Sequence, residues 1–460
     1  MRPVASYIVG GRFDAVRQSA NNAWNVNLSN GNMNNNNTNN RYNVVGASES
    51  LPNVDEWIVA EHNFYKNKHG SPPAQRIHIH PARVLRLARR VASGEYSPRP
   101  GYRFPIIDPT PREIYAAFCE DRLVHHYVAP FISQVAERVH AANGDVSHGN
   151  RIGHSAQTGA GQIRDAIAAA KEKCADPYVV KIDIRSFFSS VPRVKAYEAL
   201  ARYAGEYYGD ADRDEKLAIC KTLITHDPTV GCVKLPGEWE KVPARKLMEN
   251  APTGCGLPIG NFYSQLVANL YLASYDAALS RFGVCPRFVD DKCCIVDGPR
   301  EAQECLAAAR DAVEAIGLRL HPDKVYIQPA HRGVNYCGRT VKGGRIYLSN
   351  RTVRRAHYAV GKAPRTPDGA RKVCATVNSY LGLMRHCTER KNERRLADAV
   401  LSGFGPWVYF EIRDGHFVCK VKAAYNLRRT RIQTINKEYD EIRKIKQERQ
   451  RHPRERRGRR

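Results

Sequence analysis

Tyr178-Val179-Val180-Lys181-Ile182-Asp183-Ile184 and, further along, Cys285-Pro286-Arg287-Phe288-Val289-Asp290-Asp291-Lys292-Cys293-Cys294-Ile295-Val296 are the stretches on which the fold turns. The first is rich in β-branched residues and reads as a strand that ends in a carboxylate. The second reads as two apolar strands around an Asp-Asp turn. An Asp pair in a hairpin is ordinarily only a turn, because Asp suits turn geometry. Its meaning depends on the segments around it.

Working outward, Phe262 to Leu279 reads as a helix after a Gly/Pro-rich turn, and Ala302 to Ile316 as a helix ended by Gly317. Tyr326-Ile327 and Arg345-Ile346-Tyr347-Leu348 read as short strands. Alternation of strands, helices and hairpins over 176–345 predicts an α+β unit. Before it, 47–175 reads as mostly helical. Pro81 to Ala92 is a basic helix opened by proline, Pro111-Arg112-Glu113-Ile114 opens another, and Val128 to Val139 has helical spacing. Tyr102 to Asp108 is a candidate strand between them. After it, 346–426 reads as helical, with a break at Gly403-Phe404-Gly405-Pro406.

Both ends differ in composition. Residues 1–46 carry the run Asn30-Gly31-Asn32-Met33-Asn34-Asn35-Asn36-Asn37-Thr38-Asn39-Asn40 and are expected to be disordered. Residues 427–460 form a basic tail ending Arg454-Glu455-Arg456-Arg457-Gly458-Arg459-Arg460. The 460 residues hold 72 Lys plus Arg against 46 Asp plus Glu, a net charge of +26 that favours a polyanionic partner. The 13 cysteines form no C-x-x-C pair, so reduced, mostly buried thiols and a cytoplasmic setting are expected. No apolar run is long enough to span a membrane, and no secretion signal is visible. His78, His80, His125 and His126 lack a ligand pattern and are read as structural.

The ordered set of segments resembles the reverse transcriptase family. Asp183-Ile184-Arg185-Ser186-Phe187-Phe188 looks like its first palm motif, Gly256-Leu257-Pro258-Ile259-Gly260-Asn261-Phe262-Tyr263-Ser264-Gln265 like the second, and Phe288-Val289-Asp290-Asp291 like the third. Gly317-Leu318-Arg319-Leu320-His321-Pro322-Asp323-Lys324 looks like the fourth, and Gly333-Val334-Asn335-Tyr336-Cys337-Gly338 like the primer grip. Pro111 to Ile114 and Asp121-Arg122-Leu123-Val124-His125-His126 resemble fingers motifs. The resemblance implies a right-hand polymerase with fingers (47–175), a palm of antiparallel sheet and helices (176–345) and a helical thumb (346–426). It implies RNA-directed DNA synthesis from dNTPs on an RNA template with a DNA or RNA primer.

Nucleotidyl transfer uses two divalent ions, and hard cations prefer carboxylate oxygen. Asp183, Asp290 and Asp291 are therefore the candidate ligands for two Mg²⁺, with Mn²⁺ as a substitute. Phe188 is by resemblance a steric gate against a 2′-hydroxyl; its alternative role is core packing. The Gly256–Gly260 turn lets backbone approach the nascent base pair. Lys324 is a candidate proton donor to pyrophosphate, or else a surface lysine after a turn. Arg112 and Arg122 are candidates for gripping the triphosphate, with an Asp121 or core-carboxylate pairing as the alternative for Arg122. Ile184, Ile259, Gly260 and Gln265 complete the expected nucleotide contacts.

The second motif narrows the subfamily. Many reverse transcriptases carry Gln-Gly and end in Ser-Pro there, whereas this chain has Ile259-Gly260 and ends in Ser264-Gln265. That pattern is similar to reverse transcriptases of diversity-generating retroelements, which misincorporate opposite adenine and generally work with a small basic accessory protein. Ala23 to Gly31, the asparagine run and Tyr42 resemble the variable end of lectin-type targets of these elements; a low-complexity leader is the alternative. No maturase-like, zinc-finger endonuclease or RNase H pattern is visible. A retron or phage-defence enzyme is the nearest rival, and a catalytically inactive nucleic-acid-binding protein the rival from another class. A bacterial or phage origin is expected.

Overall fold

The computed structural model describes residues 54–425 except 67, 69, 70 and 109. The asparagine-rich leader and the basic tail lie outside the described residues. The chain divides into two compact units, whose described parts are 54–346 and 347–425.

The first unit opens with helices α1 (Val54–Tyr65), α2 (Pro72–His78) and α3 (Pro81–Ala92). Prolines begin α2 and α3, where a missing N–H costs nothing. α3 buries Val84, Leu87, Ala88 and Val91 and turns its arginines outward. His78 closes α2, and its Nδ1 meets Glu61 Oε1 at 2.5 Å.

Strands β1 (Tyr102–Ile106) and β2 (Arg112–Ala116) pair antiparallel. The helix expected to start at Pro111 is thus a strand. The proline that would suit a first helical turn instead precedes an edge strand, which pairs on one side only. Helix α4 (Cys119–Ala142) runs through the core and carries Pro130 in its interior. Helix α5 (Ala156–Lys173) opens on a Ser155/Thr158 capping box.

β3 (Tyr178–Asp183) is followed by one helical turn, α6 (Phe187–Ser190), then α7 (Arg193–Tyr207) and α8 (Arg213–Thr225). β4 (Val233–Lys234) adds parallel to β1, completing a β2-β1-β4 fingers sheet. The predicted helix over Phe262–Leu279 is two helices, α9 (Phe262–Tyr271) and α10 (Ala273–Leu279). β5 (Arg287–Phe288), β6 (Asp291–Val296), α11 (Pro299–Ala315) and β7 (Tyr326–Pro329) follow. The palm sheet has the order β5-β6-β3-β7 and is antiparallel throughout. Val179, Val180 and Ile182 of β3 and Cys293 and Cys294 of β6 are almost wholly buried. The β8 (Val334–Tyr336)–β9 (Arg339–Lys342) hairpin ends this unit.

β10 (Arg345–Leu348) carries the chain into the second unit, which holds α12 (Asn350–Lys362), α13 (Pro367–Met384) and α14 (Arg390–Phe404). This unit is not all helical. After the predicted break, β11 (Val408–Arg413) and β12 (His416–Val421) form an antiparallel hairpin. Asp414 and Gly415, both at positive φ, make its turn. Asn378 of α13 stitches to the hairpin through both backbone groups of Cys419, at 2.8 Å each.

Candidate active site

The β3/β6 register places Asp183 directly opposite Asp291. Residues opposite one another share a face of the sheet. Lys181, two residues back on β3, therefore shares it too, and its buried ammonium pairs with Asp291 Oδ1. Asp291 Oδ2 accepts from the Cys337 backbone N–H at 3.3 Å, tying β6 to the turn of the β8–β9 hairpin. Asp291 is thus engaged from two sides.

Asp290 lies in the turn before β6. Burial, then the charge of Asp183, push its carboxyl up to about 6, opposed by Lys324 and Lys181. Lys324 Nζ donates to Asp183 Oδ2 at 2.8 Å. Among the described residues no group of three Asp, Glu, His or Cys side chains is arranged to hold a metal. The charge of Asp183 is felt at the Asp290 carboxyl, while the register sets Asp183 opposite Asp291. A buried carboxylate beside a second negative charge fits a divalent cation, since Mg²⁺ is commonly held by one or two carboxylates with substrate phosphates completing its shell.

The turn itself is imposed from beneath. Val289 has φ +58, a conformation costly for a β-branched residue. Arg287, wholly buried, donates from Nη1 to the Val289 carbonyl at 2.9 Å. It also donates to Asp276, bidentate at 2.7 and 2.6 Å, to Asn269 Oδ1 at 2.8 Å and carbonyl at 3.2 Å, and to Ser147 Oγ at 3.3 Å. Lys292 adds a second cation to Asp276 at 2.7 Å. Burial alone would raise the Asp276 carboxyl, yet Arg287 and Lys292 hold it well below the usual range. Sequence reasoning missed this network. A charged residue inside each of three apolar runs was its signal.

The second-motif turn is locked to the fingers. Leu257 N donates to the Phe188 carbonyl at 2.8 Å, and Tyr115 N donates to the Ile259 carbonyl at 2.7 Å. Gly260, at φ +117, lies so close that a Cβ would stand 2.5 Å from the Tyr115 carbonyl oxygen. Ile259, Phe188 and Gln265 are half-buried. Phe188 also packs against the core. Ile184 differs from expectation. Its side chain is 1% exposed in the core, so only its backbone can face a ligand.

The two fingers arginines part company. Arg112 begins β2, while Arg122 is on α4 and donates from Nε to the Ala117 carbonyl at 3.0 Å. Among the described residues no carboxylate pairs with Arg122: Asp121 accepts from the Tyr96 hydroxyl and the Arg99 backbone N–H, both at 3.0 Å. His125 and His126 pack on Tyr263 and Phe262.

A cation missed in the sequence joins Arg112. Lys246 lies in the loop between β4 and the second motif, and its Nζ donates to the Pro111 carbonyl at 3.2 Å. Its ammonium is depressed by burial, then by Arg112, Arg245 and Lys324, and raised by Asp290. Buried Glu113 fastens the loop, accepting from Met248 N at 2.7 Å. Lys246 shares a charged loop with Lys241 and Arg245, so only the fold singles it out.

Fingers and palm sheets with helices define a right-hand polymerase fold. The family model described as "Reverse transcriptase (RNA-dependent DNA polymerase)" matches residues 110–341, half of the chain, and the chain belongs to that family. No curated protein matches it. Among solved structures, apo telomerase from Candida tropicalis, truncated from its C-terminal domain, is 11% identical with a TM-score of 0.41, covering 57% of this chain and 59% of that one. Telomerase from Candida albicans, in complex with a fragment of telomeric RNA, is also 11% identical with a TM-score of 0.41, covering 70% and 59%. The chain therefore spans less than two thirds of the length of these structures.

Proposed function

We propose that this chain copies RNA into DNA as the error-prone polymerase of a diversity-generating retroelement. The observation that carries the polymerase reading is the Asp183–Asp290 pair, two mutually repelling carboxylates beside Lys324. Divalent metal ions, when bound there, activate the primer hydroxyl and neutralise the triphosphate. Asp183 and Asp290 would hold them. The primer O3′–Pα bond forms as the bond from Pα to the pyrophosphate oxygen breaks. Lys324 holds a proton that it can deliver to the departing pyrophosphate. Arg112 and Lys246 bind the triphosphate oxygens. Phe188 supports the sugar and excludes a 2′-hydroxyl. Asp291 acts from beside the pair, by fixing β6 and the primer-grip hairpin.

The retroelement reading rests on Ile259. Its carbonyl is bound by Tyr115 and the next residue is pressed against the same strand, so its side chain has little freedom beside the nascent base pair. An apolar side chain there supplies no hydrogen bond to police pairing, and selectivity built on shape alone is weak. The small basic accessory protein and the cognate RNA belong to this proposal.

Primer extension on a mixed-sequence RNA with Mg²⁺ and four dNTPs, followed by cDNA sequencing, tests both layers. Synthesis abolished by Asp290→Ala, with errors concentrated opposite adenine and reduced by Ile259→Gln, is the expected result. Accurate synthesis would overturn the retroelement layer and favour a retron or defence enzyme. No synthesis even with accessory protein and cognate RNA would overturn the polymerase layer.

A further inference from the structure

Two glycines ahead of the palm stand where a side chain has no room, and the chemistry proposed above uses neither. Gly159 lies near the start of α5, where alanine is the better helix former. Its surroundings decide otherwise. A Cβ there would stand 2.7 Å from the Tyr336 hydroxyl oxygen and 2.8 Å from its Cε1. Gly161, two residues on, would meet nothing within 4 Å, so within α5 only Gly159 is dictated by a neighbour.

This contact is one half of a seat. Tyr336 ends β8, Arg339 begins β9, and the register sets them opposite each other across the Cys337-Gly338 turn. Residues so paired share a face of the hairpin. Tyr336 packs on Gly159, and Arg339 Nε donates to Gln157 Oε1 at 2.8 Å. One turn of helix therefore holds the hairpin at two points.

The seat touches the site from both ends. Tyr336 is wholly buried, with its ring centroid 5.8 Å from Lys181 Nζ, and the next residue supplies the N–H that binds Asp291. Thr158 Oγ1, part of the capping box, stands 2.9 Å from His148 Nδ1. His148 N donates to the Arg287 carbonyl at 2.7 Å. Gly149, the second crowded glycine, would place a Cβ 2.9 Å from Val289 Cγ2. Residues 148–159 thus meet the strand and turn before Asp290 at one end and the primer-grip hairpin at the other.

We infer that the first turn of α5 seats the primer-grip hairpin, and that Gly159 is a positioning residue that sets where the primer end stands relative to Asp183 and Asp290. The inference rests on the polymerase reading. A close-packed interior transmits a displacement because no void absorbs it. A Cβ at Gly159 pushes Tyr336, and Tyr336 carries the Cys337 turn with it. Misplacing reacting groups by about 1 Å lowers rate by up to about a hundredfold, without touching the groups that bind the triphosphate.

The test compares the full-length protein with Gly159→Ala, Gly161→Ala, Tyr336→Phe and the Gly159→Ala/Tyr336→Phe double variant. Tyr336→Phe removes the atom nearest the new methyl. Among the described residues that hydroxyl has no hydrogen-bond partner, so its loss alone should be mild. Single-nucleotide extension gives kcat and the KM for dNTP, and peptide-resolved hydrogen exchange follows 334–340 without any synthesis. Gly159→Ala is expected to lower kcat by about ten- to a hundredfold, with KM for dNTP within about twofold. Exchange over 334–340 should quicken while β3 and β6 stay as in the parent. The double variant should recover kcat by about fivefold or more, and Gly161→Ala should match the parent. Parental kcat and exchange in Gly159→Ala would overturn the inference, as would a loss of kcat that Tyr336→Phe does not relieve. Should Gly159→Ala lose its fold, seen as faster exchange in β3 and β6 too, Gln157→Ala decides. It removes the other tie without adding an atom and should lower kcat about three- to tenfold with the same KM; parental kcat there overturns the seat. A parent that makes no DNA overturns the polymerase reading and this inference with it, whereas an active parent beside an equally active Gly159→Ala overturns the inference alone.

Discussion

Two adjacent aspartates have unequal surroundings. Asp290 is pushed up by burial and by the charge of Asp183, whereas Asp291 is held by Lys181 and the Cys337 backbone. Removing the Asp290 charge should abolish synthesis: Asp290→Asn is expected to lower it by roughly a thousandfold or more, at near-normal stability. Asp291→Asn should act through structure. It leaves the Lys181 ammonium buried without its partner, a loss of about 1–3 kcal/mol, discounted because Asp291 is partly exposed. Urea unfolding beside primer extension separates the two. A wild-type midpoint with synthesis as dead as in Asp290→Asn would make Asp291 a metal ligand, as the sequence motif suggests. Lys246 is the second residue decided by position. Lys246→Ala should raise the KM for dNTP about five- to tenfold, the value of one charge-assisted hydrogen bond, with kcat little changed. Steady-state kinetics with an unchanged KM would remove it from the triphosphate site. The aspartates were legible because a strand end and an apolar hairpin are local patterns. Their unequal surroundings were not, because Lys181 and Cys337 reach Asp291 through strand register and a distant hairpin.

At the level of elements, the catalytic turn is held by a helix that contributes nothing to the chemistry. Asp276 of α10 pairs with Arg287 and Lys292, which flank the turn, and Arg287 in turn caps the strained Val289 carbonyl. Asp276→Asn would leave two buried cations without a counter-charge. The expected cost is about 3–5 kcal/mol, read as a fall in the urea midpoint. Synthesis should fall further than stability accounts for, because the turn loses its support. A variant as stable as the parent would show that the network is dispensable. Local pattern served well for α3, β3, β6 and α11, whose periodicity, caps and β-branched runs agree with their surroundings. It failed at Pro111, where the same proline preference fits a helix start or an edge strand, and only pairing with Tyr102–Ile106 decides. The β11–β12 hairpin was legible and went unread: Asp414-Gly415 between two apolar runs is a strong two-residue turn signal.

On the scale of the molecule, two cores account for the division of the chain. The first runs from Trp57 to Leu318 and joins the helices to the palm sheet. The second is built on Val377, Leu396, Val400 and Phe404, packed against Val408 and Cys419 of the hairpin. Each core closes on itself, so each unit should lose its structure with its own cooperativity. Phe404 is the sharpest probe, being wholly buried and tilted against Trp407 at 6.4 Å between ring centroids. Phe404→Ala should cost about 3–5 kcal/mol within the second unit, through lost burial and the cavity left behind. Hydrogen exchange read peptide by peptide should then show faster exchange across α13, α14 and the hairpin, with β3, β6 and α9 unchanged. The Asp183–Asp290 pair belongs wholly to the first unit, so binding of a single dNTP to the variant should persist. Matching acceleration in the palm strands would mean that the two cores unfold as one, and that the second unit helps to hold the catalytic sheet together.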